Sequence, residues 1–323
     1  MTPPTKMSCS LPMFDEFLLF LQTNNYSVET VYSYERDLKV FEDFLKTEVV
    51  LPFSNINRRV IDQYKAYLTS IDRHTAKKEE ISEKKLQSIS INRHLSSLRS
   101  FLRYLIELDY KVPIAPELIK MTKTERKHPR VAELQELVKL IEAPQIFEKN
   151  KLIATRNRAM LEILFSTGMR ISELISLNRN QIDNSGRIFI RGKGKKERFV
   201  YLTNRGRKYL NNYLVLREDT LIALFIPYRG RNTKDSSGIK KRISTNYLQE
   251  RIKYYREKLK INIPISAHSL RHGFATYLAE EGANPAAIQI LLGHESLDTT
   301  TKYVHASDRY AEQTHHDCHP LKD

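Results

Sequence analysis

The sequence lacks what a cross-linked, membrane-spanning or secreted protein needs. Its 323 residues include only two cysteines, Cys9 and Cys318, near opposite ends, so no disulfide framework is available. No uninterrupted apolar run approaches the roughly 20 residues that cross a bilayer. The opening MTPPTKMSCS lacks the basic-then-apolar layout of a signal peptide, and a cytosolic chain is expected. Nucleotide motifs are missing as well. Gly186–Lys193 has five residues between its glycines where a phosphate loop has four, and Gly194 stands where Ser or Thr would hold magnesium. Gly192-Lys193-Gly194 has no third glycine to complete a dinucleotide fingerprint. The tail His315-His316-Asp317-Cys318-His319 carries metal-loving side chains, but its spacing fits no standard zinc pattern; it reads as surface, and no metal site is expected.

What is present is apolar surface and positive charge. A hydrophobic fraction of 41% with 17 tyrosines excludes a mainly disordered chain, and the length suggests about two domains. Lys and Arg number 53 against 38 Asp and Glu, a net charge of +15. A polyanion is the expected partner, nucleic acid before an acidic membrane surface. The charge is uneven: residues 1–124 carry a net +2 and residues 125–323 the remaining +13. Pro113, Pro116 and Pro129 flank the mixed-charge run Lys120–His128 at that division, which reads as a linker over 112–129 between domains at 8–111 and 130–323.

The first half predicts an all-α bundle. Phe14, Phe17, Leu18 and Leu21 share a face. Val31, Tyr34, Leu38, Phe41 and Leu45 follow the candidate N-cap Ser27; Val60 to Ile71 and Ile91 to Leu105 give two more stripes at helical spacing. Charged Asp72–Gln87 is expected as an exposed loop or short polar helix. Arg93, Arg99 and Arg103 fall off the Leu95/Leu98/Leu102 stripe and could face solvent or grip phosphates. The second half predicts an α+β domain, mostly helical with a small antiparallel sheet. Helices are expected at Leu134–Ala143, Arg156–Leu177, Thr245–Lys258, Ser269–Glu281, Pro285–Leu292 and around Asp298–Tyr303; a hairpin is expected from Arg187–Arg191 and Arg198–Leu202.

Several side chains stand out. Arg170 follows a glycine in TGMRISELISL, and Lys193 sits at the hairpin tip in IRGKGKKERFVYL. His268 and Arg271 are three apart in HSLRHGFATYL, hence on one helical face. His294 and Tyr303 lie nine apart in LLGHESLDTTTKYVHAS. Each alone has an ordinary structural explanation. Their joint order resembles the tyrosine site-specific recombinases, the phage-type integrases, and most closely their Xer branch; the closing HP of the tail fits too. The resemblance covers the whole chain and carries the family's Arg–Lys–His–Arg–His–Tyr set onto Arg170, Lys193, His268, Arg271, His294 and Tyr303 without a substitution. The long Asp72–Gln87 insert departs from it.

The resemblance implies an N-terminal SAM-like core-binding domain and a catalytic domain clamped around double-stranded DNA. It implies a homo- or hetero-tetramer on synapsed recombination sites, a DNA translocase as possible activator, no cofactor and no ATP. Physical chemistry asks for the same residues. A phenol with a reference pKa of about 10 needs a proton acceptor and cations before it attacks phosphorus, and His268 is the expected base for Tyr303. Arg170 and Arg271 can clamp the two non-bridging oxygens, with His294 adding a hydrogen bond. Lys193 can protonate the leaving 5′ oxygen. A tyrosine ester conserves the bond energy, so rejoining needs no nucleotide. Glu173 fits a capping or positioning role. Lys195, Lys196, Arg198 and Arg242 are the expected phosphate contacts beside Arg93 and Arg99. The expected function is recombination through a 3′-phosphotyrosine, in chromosome-dimer resolution or else as integrase or transposase of a mobile element. A type IB topoisomerase and a non-catalytic DNA-binding protein are the alternatives.

Overall fold

The computed structural model describes residues 10–70, 85–124, 132–183, 185–191, 197–228 and 241–293. The chain divides into two compact units, Met1–Lys127 and His128–Asp323.

In the first unit, α1 (Phe14–Thr23), α2 (Val28–Phe44), α3 (Arg58–Thr69) and α4 (Ser88–Glu107) form the expected bundle. Ser27 caps α2, its Oγ accepting from the Thr30 amide at 3.2 Å, and Asn57 caps α3 in the same way. The stripes meet in an aromatic core. Phe17 packs edge-on against Phe101, and Phe41 against Tyr64, with ring centres 5.4 and 4.7 Å apart. A π-helical turn, Leu45–Val49, prolongs α2. The one polar intrusion into this core, among the described residues, is built around Asp37. Its buried carboxylate pairs with the charge of Arg93, Nη2 at 2.8 Å from Oδ1, and accepts a hydrogen bond from Ser97 Oγ at 3.1 Å on Oδ2, tying α2 to α4. The greater part of Asp72–Gln87 lies outside the described residues.

The second unit is built on α6 (Lys151–Thr167), which is buried nearly all round. Packed on it are α5 (Leu134–Phe147), α8 (Asn204–Val215) and α10 (Ala267–Glu280). A helix so enclosed has to neutralise its own polar groups. Arg158, 1% exposed, pairs with Glu162 and Glu142 at 2.8 and 3.2 Å, and Arg205 of α8 reaches the same two carboxylates. Arg156 gives its guanidinium to the Ile226 carbonyl, Asn157 and Tyr247. The helix expected over Arg156–Leu177 is interrupted. Gly168 turns left-handed at φ +61° and ends α6, and α7 (Ile171–Ser176) starts afresh after Arg170.

Strands β1 (Arg187–Arg191) and β2 (Glu197–Tyr201) pair antiparallel, Ile190 opposite Arg198 and Ile188 opposite Val200. Alternation sends Ile188, Ile190 and Val200 into the core and leaves Phe189, Phe199 and Tyr201 exposed. Two helices occupy the expected spans, α9 (Thr245–Lys258) and α11 (Pro285–Leu292). α8 was not expected from the sequence. The fold is thus an all-α unit followed by a mostly helical α+β unit with a two-stranded sheet. No helix among the described residues is long and apolar enough to cross a membrane.

Candidate active site

The break at Gly168 aims the first functional side chain. With the backbone turned there, Arg170 becomes the residue before α7 and its amide would be left without a helical partner. Glu173, three residues on, accepts that N–H at 2.7 Å and also takes Arg170 Nη1 at 3.0 Å. Across from it, α10 starts at a capping box in which Ser266 and Ser269 bond each other's backbone. That start places His268 and Arg271 in the first turns. Arg170, His268 and Arg271, with Met169, Ile171, Ser172 and Ala267, line a cleft of about 230 Å³.

Arg271 is 3% exposed and is fixed by two carbonyls. Its Nη1 donates to Gly168 at 2.8 Å and its Nη2 to Leu292 at 2.6 Å. The end of α11 is held by two further arginines. Arg170 Nη2 donates to the Gly293 carbonyl at 3.3 Å, and Arg198 Nε to the Leu291 carbonyl at 2.8 Å. Three successive carbonyls, which a helix C-terminus leaves unsatisfied, thus each meet a different guanidinium. An arginine carries five N–H donors, and Arg170, whose side chain stays 37% exposed, has room to turn some of them to an oxyanion.

Glu173 sits at the centre of the cations. Its oxygens accept from the Arg170 amide, Arg170 Nη1, Arg198 Nη1 and Arg198 Nη2, which uses all of its lone-pair sites. Burial pushes its carboxyl up, but the Arg198 and Arg170 bonds outweigh that and hold it below the usual range. The opposite applies to His268. Partial desolvation, then the charges of Arg271 and Arg170, hold its imidazole below the ordinary histidine value, so it stands neutral at pH 7 and able to accept a proton. Its Nε2 lies 2.8 Å from that of His272, one turn on, so the two rings share a hydrogen at that contact.

Among the expected DNA contacts, Arg198 and Arg242 are found against protein acceptors. The Arg198 side chain is 7% exposed and locked on Glu173, because strand alternation turns it to the same face as buried Val200. Arg242 gives its guanidinium to the carbonyls of Ile175 and Leu177 and to Asn178 Oδ1, closing the end of α7. Arg93 is held by Asp37 but keeps 43% of its side chain exposed. Arg99 is half-buried, its Nε shielded without a hydrogen-bond partner among the described residues. Lys193, Lys195, Lys196, His294 and Tyr303 lie outside the described residues. So does the His315–His319 tail; among the described residues no three metal-ligating side chains gather. The Glu173–Arg198 pair was missed in the sequence. Its signal was the period of the strand: Arg198 stands two residues before Val200.

A model of the phage integrase family matches residues 130–309, and one of the family's N-terminal SAM-like domain matches 14–108. The tyrosine recombinase XerD of Staphylococcus epidermidis is 32% identical over 316 residues, 95% of this chain and 98% of its own length. The chain belongs to the tyrosine recombinase family. The XerD of Staphylococcus aureus is also 32% identical, over 318 residues with the same coverage. The fold is shared with XerH bound to a palindromic difH substrate in a post-cleavage complex, at a TM-score of 0.70 and 21% identity over 95% of this chain and 84% of that one. It is shared likewise with a lambda integrase tetramer on a Holliday junction, at 0.67 and 16% over 90% and 75%. Tyrosine recombinases cleave and rejoin DNA strands. The geometry here suits that chemistry: two preset guanidiniums for the charge that develops on phosphorus oxygens, and a neutral imidazole beside them.

Proposed function

We propose that this tyrosine recombinase acts as an Xer-type enzyme, exchanging strands at a specific chromosomal site and thereby resolving chromosome dimers in the cytoplasm. The observation that carries the role is the 32% identity to proteins named XerD, spread over 95% of this chain rather than confined to a catalytic core. Residues 8–111 form a DNA-clamping domain, 112–129 a linker and 130–323 the catalytic domain. A homo- or hetero-tetramer assembles on two synapsed duplexes, and a DNA translocase activates it.

The cleft supports the assignment of roles. Arg170 and Arg271 take the non-bridging oxygens of the scissile phosphate, and His294, next to the tethered Gly293, adds a donor. Neutral His268 accepts the Tyr303 proton as the phenolate oxygen attacks phosphorus. The 5′ oxygen leaves with a proton from Lys193, and a 3′-phosphotyrosine remains. Attack by the 5′ hydroxyl of another strand reverses these steps and completes exchange.

The test is a nicked suicide duplex carrying the candidate chromosomal site. A covalent protein–DNA adduct is expected from the native chain and none from Tyr303→Phe; an adduct from both removes Tyr303 as nucleophile. Two supplied sites should yield recombinant product, whereas relaxation of one duplex alone identifies a topoisomerase. Efficient exchange only at the ends of a mobile element rejects the chromosomal role.

A further inference from the structure

Arg198 has the sequence context of a DNA contact and the structural position of something else. It follows the basic run Gly192–Lys196, five residues after Lys193. Yet its side chain is buried and spends Nε, Nη1 and Nη2 on three protein acceptors belonging to two other elements. We propose that Arg198 is a positioning residue for strand cleavage, setting Arg170 through Glu173 and the Gly293 turn through Leu291, and making no phosphate contact. This rests on the roles proposed above for Arg170, Lys193 and His294.

The bonds lead from Arg198 to Glu173, and so to Arg170, and to the end of α11. Glu173 Oε1 takes both Arg198 Nη1 at 2.9 Å and Arg170 Nη1 at 3.0 Å, so the two guanidiniums share one anchor atom. Glu173 Oε2 does the same for Arg198 Nη2 and the Arg170 amide, both at 2.7 Å. If Arg198 withdraws, the carboxylate is free to rotate and Arg170 loses its fixed direction. At the other end, Gly293 wraps closely around the same side chain. It sits at φ +64°, and a Cβ there would lie 3.1 Å from Arg198 Cδ and Nη1. Gly293, which ends α11, therefore sits directly against the Arg198 side chain. On its own strand, Arg198 stands opposite Ile190 of β1.

A flat fork with donors on three nitrogens satisfies this set, and the single nitrogen of a lysine does not. The deciding variant is therefore Arg198→Lys in the full chain, which keeps the charge and loses the fork. The rate of adduct formation is measured at saturating DNA, alongside the duplex Kd at several salt concentrations. Expected are a loss of about tenfold or more in rate, a Kd within twofold of the native value, and an unchanged salt slope. A phosphate contact gives the opposite pattern: the lysine still neutralises the phosphate and cleaves near the native rate, while Arg198→Met with Glu173→Gln, which removes the charge, binds more weakly with a salt slope lower by about 0.9 for the lost phosphate. That result, or a cleavage rate within twofold of native, overturns the proposal. Should Arg198→Lys fail to fold, the pair Arg198→Met with Glu173→Gln removes both buried charges together. It should bind DNA normally and cleave slowly, and native-like cleavage by it is equally fatal. The native chain run in parallel separates the two levels: no Tyr303-dependent adduct from it defeats the parent reading, whereas an adduct from it with unaffected variants defeats only the role of Arg198.

Discussion

Replacing Gly168 by alanine tests whether the break between α6 and α7 is what aims the arginines. Two costs are expected. At φ +61° the backbone is left-handed, which disfavours an L side chain by about 1–2 kcal/mol. The added Cβ would lie 2.3 Å from Phe274 Cδ1 and 2.6 Å from Cε1, where ordinary contact starts near 3.4 Å. The ring, packed among Ala275, Ile288 and Leu292 between α10 and α11, would have to retreat by about an ångström, and overpacking of that kind costs about 1–3 kcal/mol. The lower chain entropy of unfolded alanine gives back up to about 1 kcal/mol. The net expectation is a loss of about 2–4 kcal/mol, read from urea unfolding of Gly168→Ala against the native chain. A companion variant, Phe274→Leu, should recover part of it, because the steric term belongs to the pair and the backbone term does not. Cleavage should slow too, since the Gly168 carbonyl anchors Arg271 and Arg170 follows two residues later. A loss below about 1 kcal/mol, or equal losses in the presence and absence of the Phe274 ring, refutes the reasoning.

Two further outcomes follow from buried charge. His268 should titrate below 6.5 by histidine NMR, since the desolvated rim and the charges of Arg271 and Arg170 all favour its neutral form; the acidic limb of the cleavage rate should move down with it, and a midpoint at or above 6.5 contradicts the assignment. In the N-terminal unit, Asp37→Ala should cost about 2–4 kcal/mol in denaturant unfolding, because the ion pair of Arg93 with a wholly buried carboxylate and the Ser97 hydrogen bond are lost together; a change within about 0.5 kcal/mol shows that Asp37 is not the tie between α2 and α4.

Much of this architecture was legible residue by residue, and what was not has physical causes. The spans of α9 and α11 could be read because Ser244 and Asn284 cap their starts, Pro285 fills the first position of α11, and Gly293 stops it. The interruption at Gly168 was hidden by apolar spacing that runs on through Leu164, Met169 and Leu174, all buried in one core. α8 escaped notice because its sequence, NRGRKYLNNYLV, is polar and opens with an early glycine; only Gly206, Leu210 and Tyr213 of it are buried. In the cleft, residue order identified Arg170, His268 and Arg271, which the fold brings together. It could not tell a cation that meets solvent from one that meets a carboxylate, because Arg198 and Arg242 owe their partners to chain segments far away in sequence. Glu173 was readable as a cap from its spacing to Arg170, but not as the partner of a strand residue 25 positions on.

The three carbonyls at the end of α11 also bear on how this cleft can exist before DNA arrives. Among the described residues, Arg170, Arg198 and Arg271 carry three positive charges into one small region against the carboxylate of Glu173. The C-terminal end of a helix concentrates about half a negative charge in its last peptide dipoles. Leu291, Leu292 and Gly293 thus act as a built-in counter-charge that is neutral overall, cannot be protonated in the working pH range and cannot diffuse away. A carboxylate in the same place would compete with the phosphate at close to full strength. A partial charge steadies the guanidiniums in the empty enzyme and still leaves them attractive to an incoming anion, so under the proposed roles of Arg170 and Arg271 a scissile phosphate would meet donors that need little rearrangement.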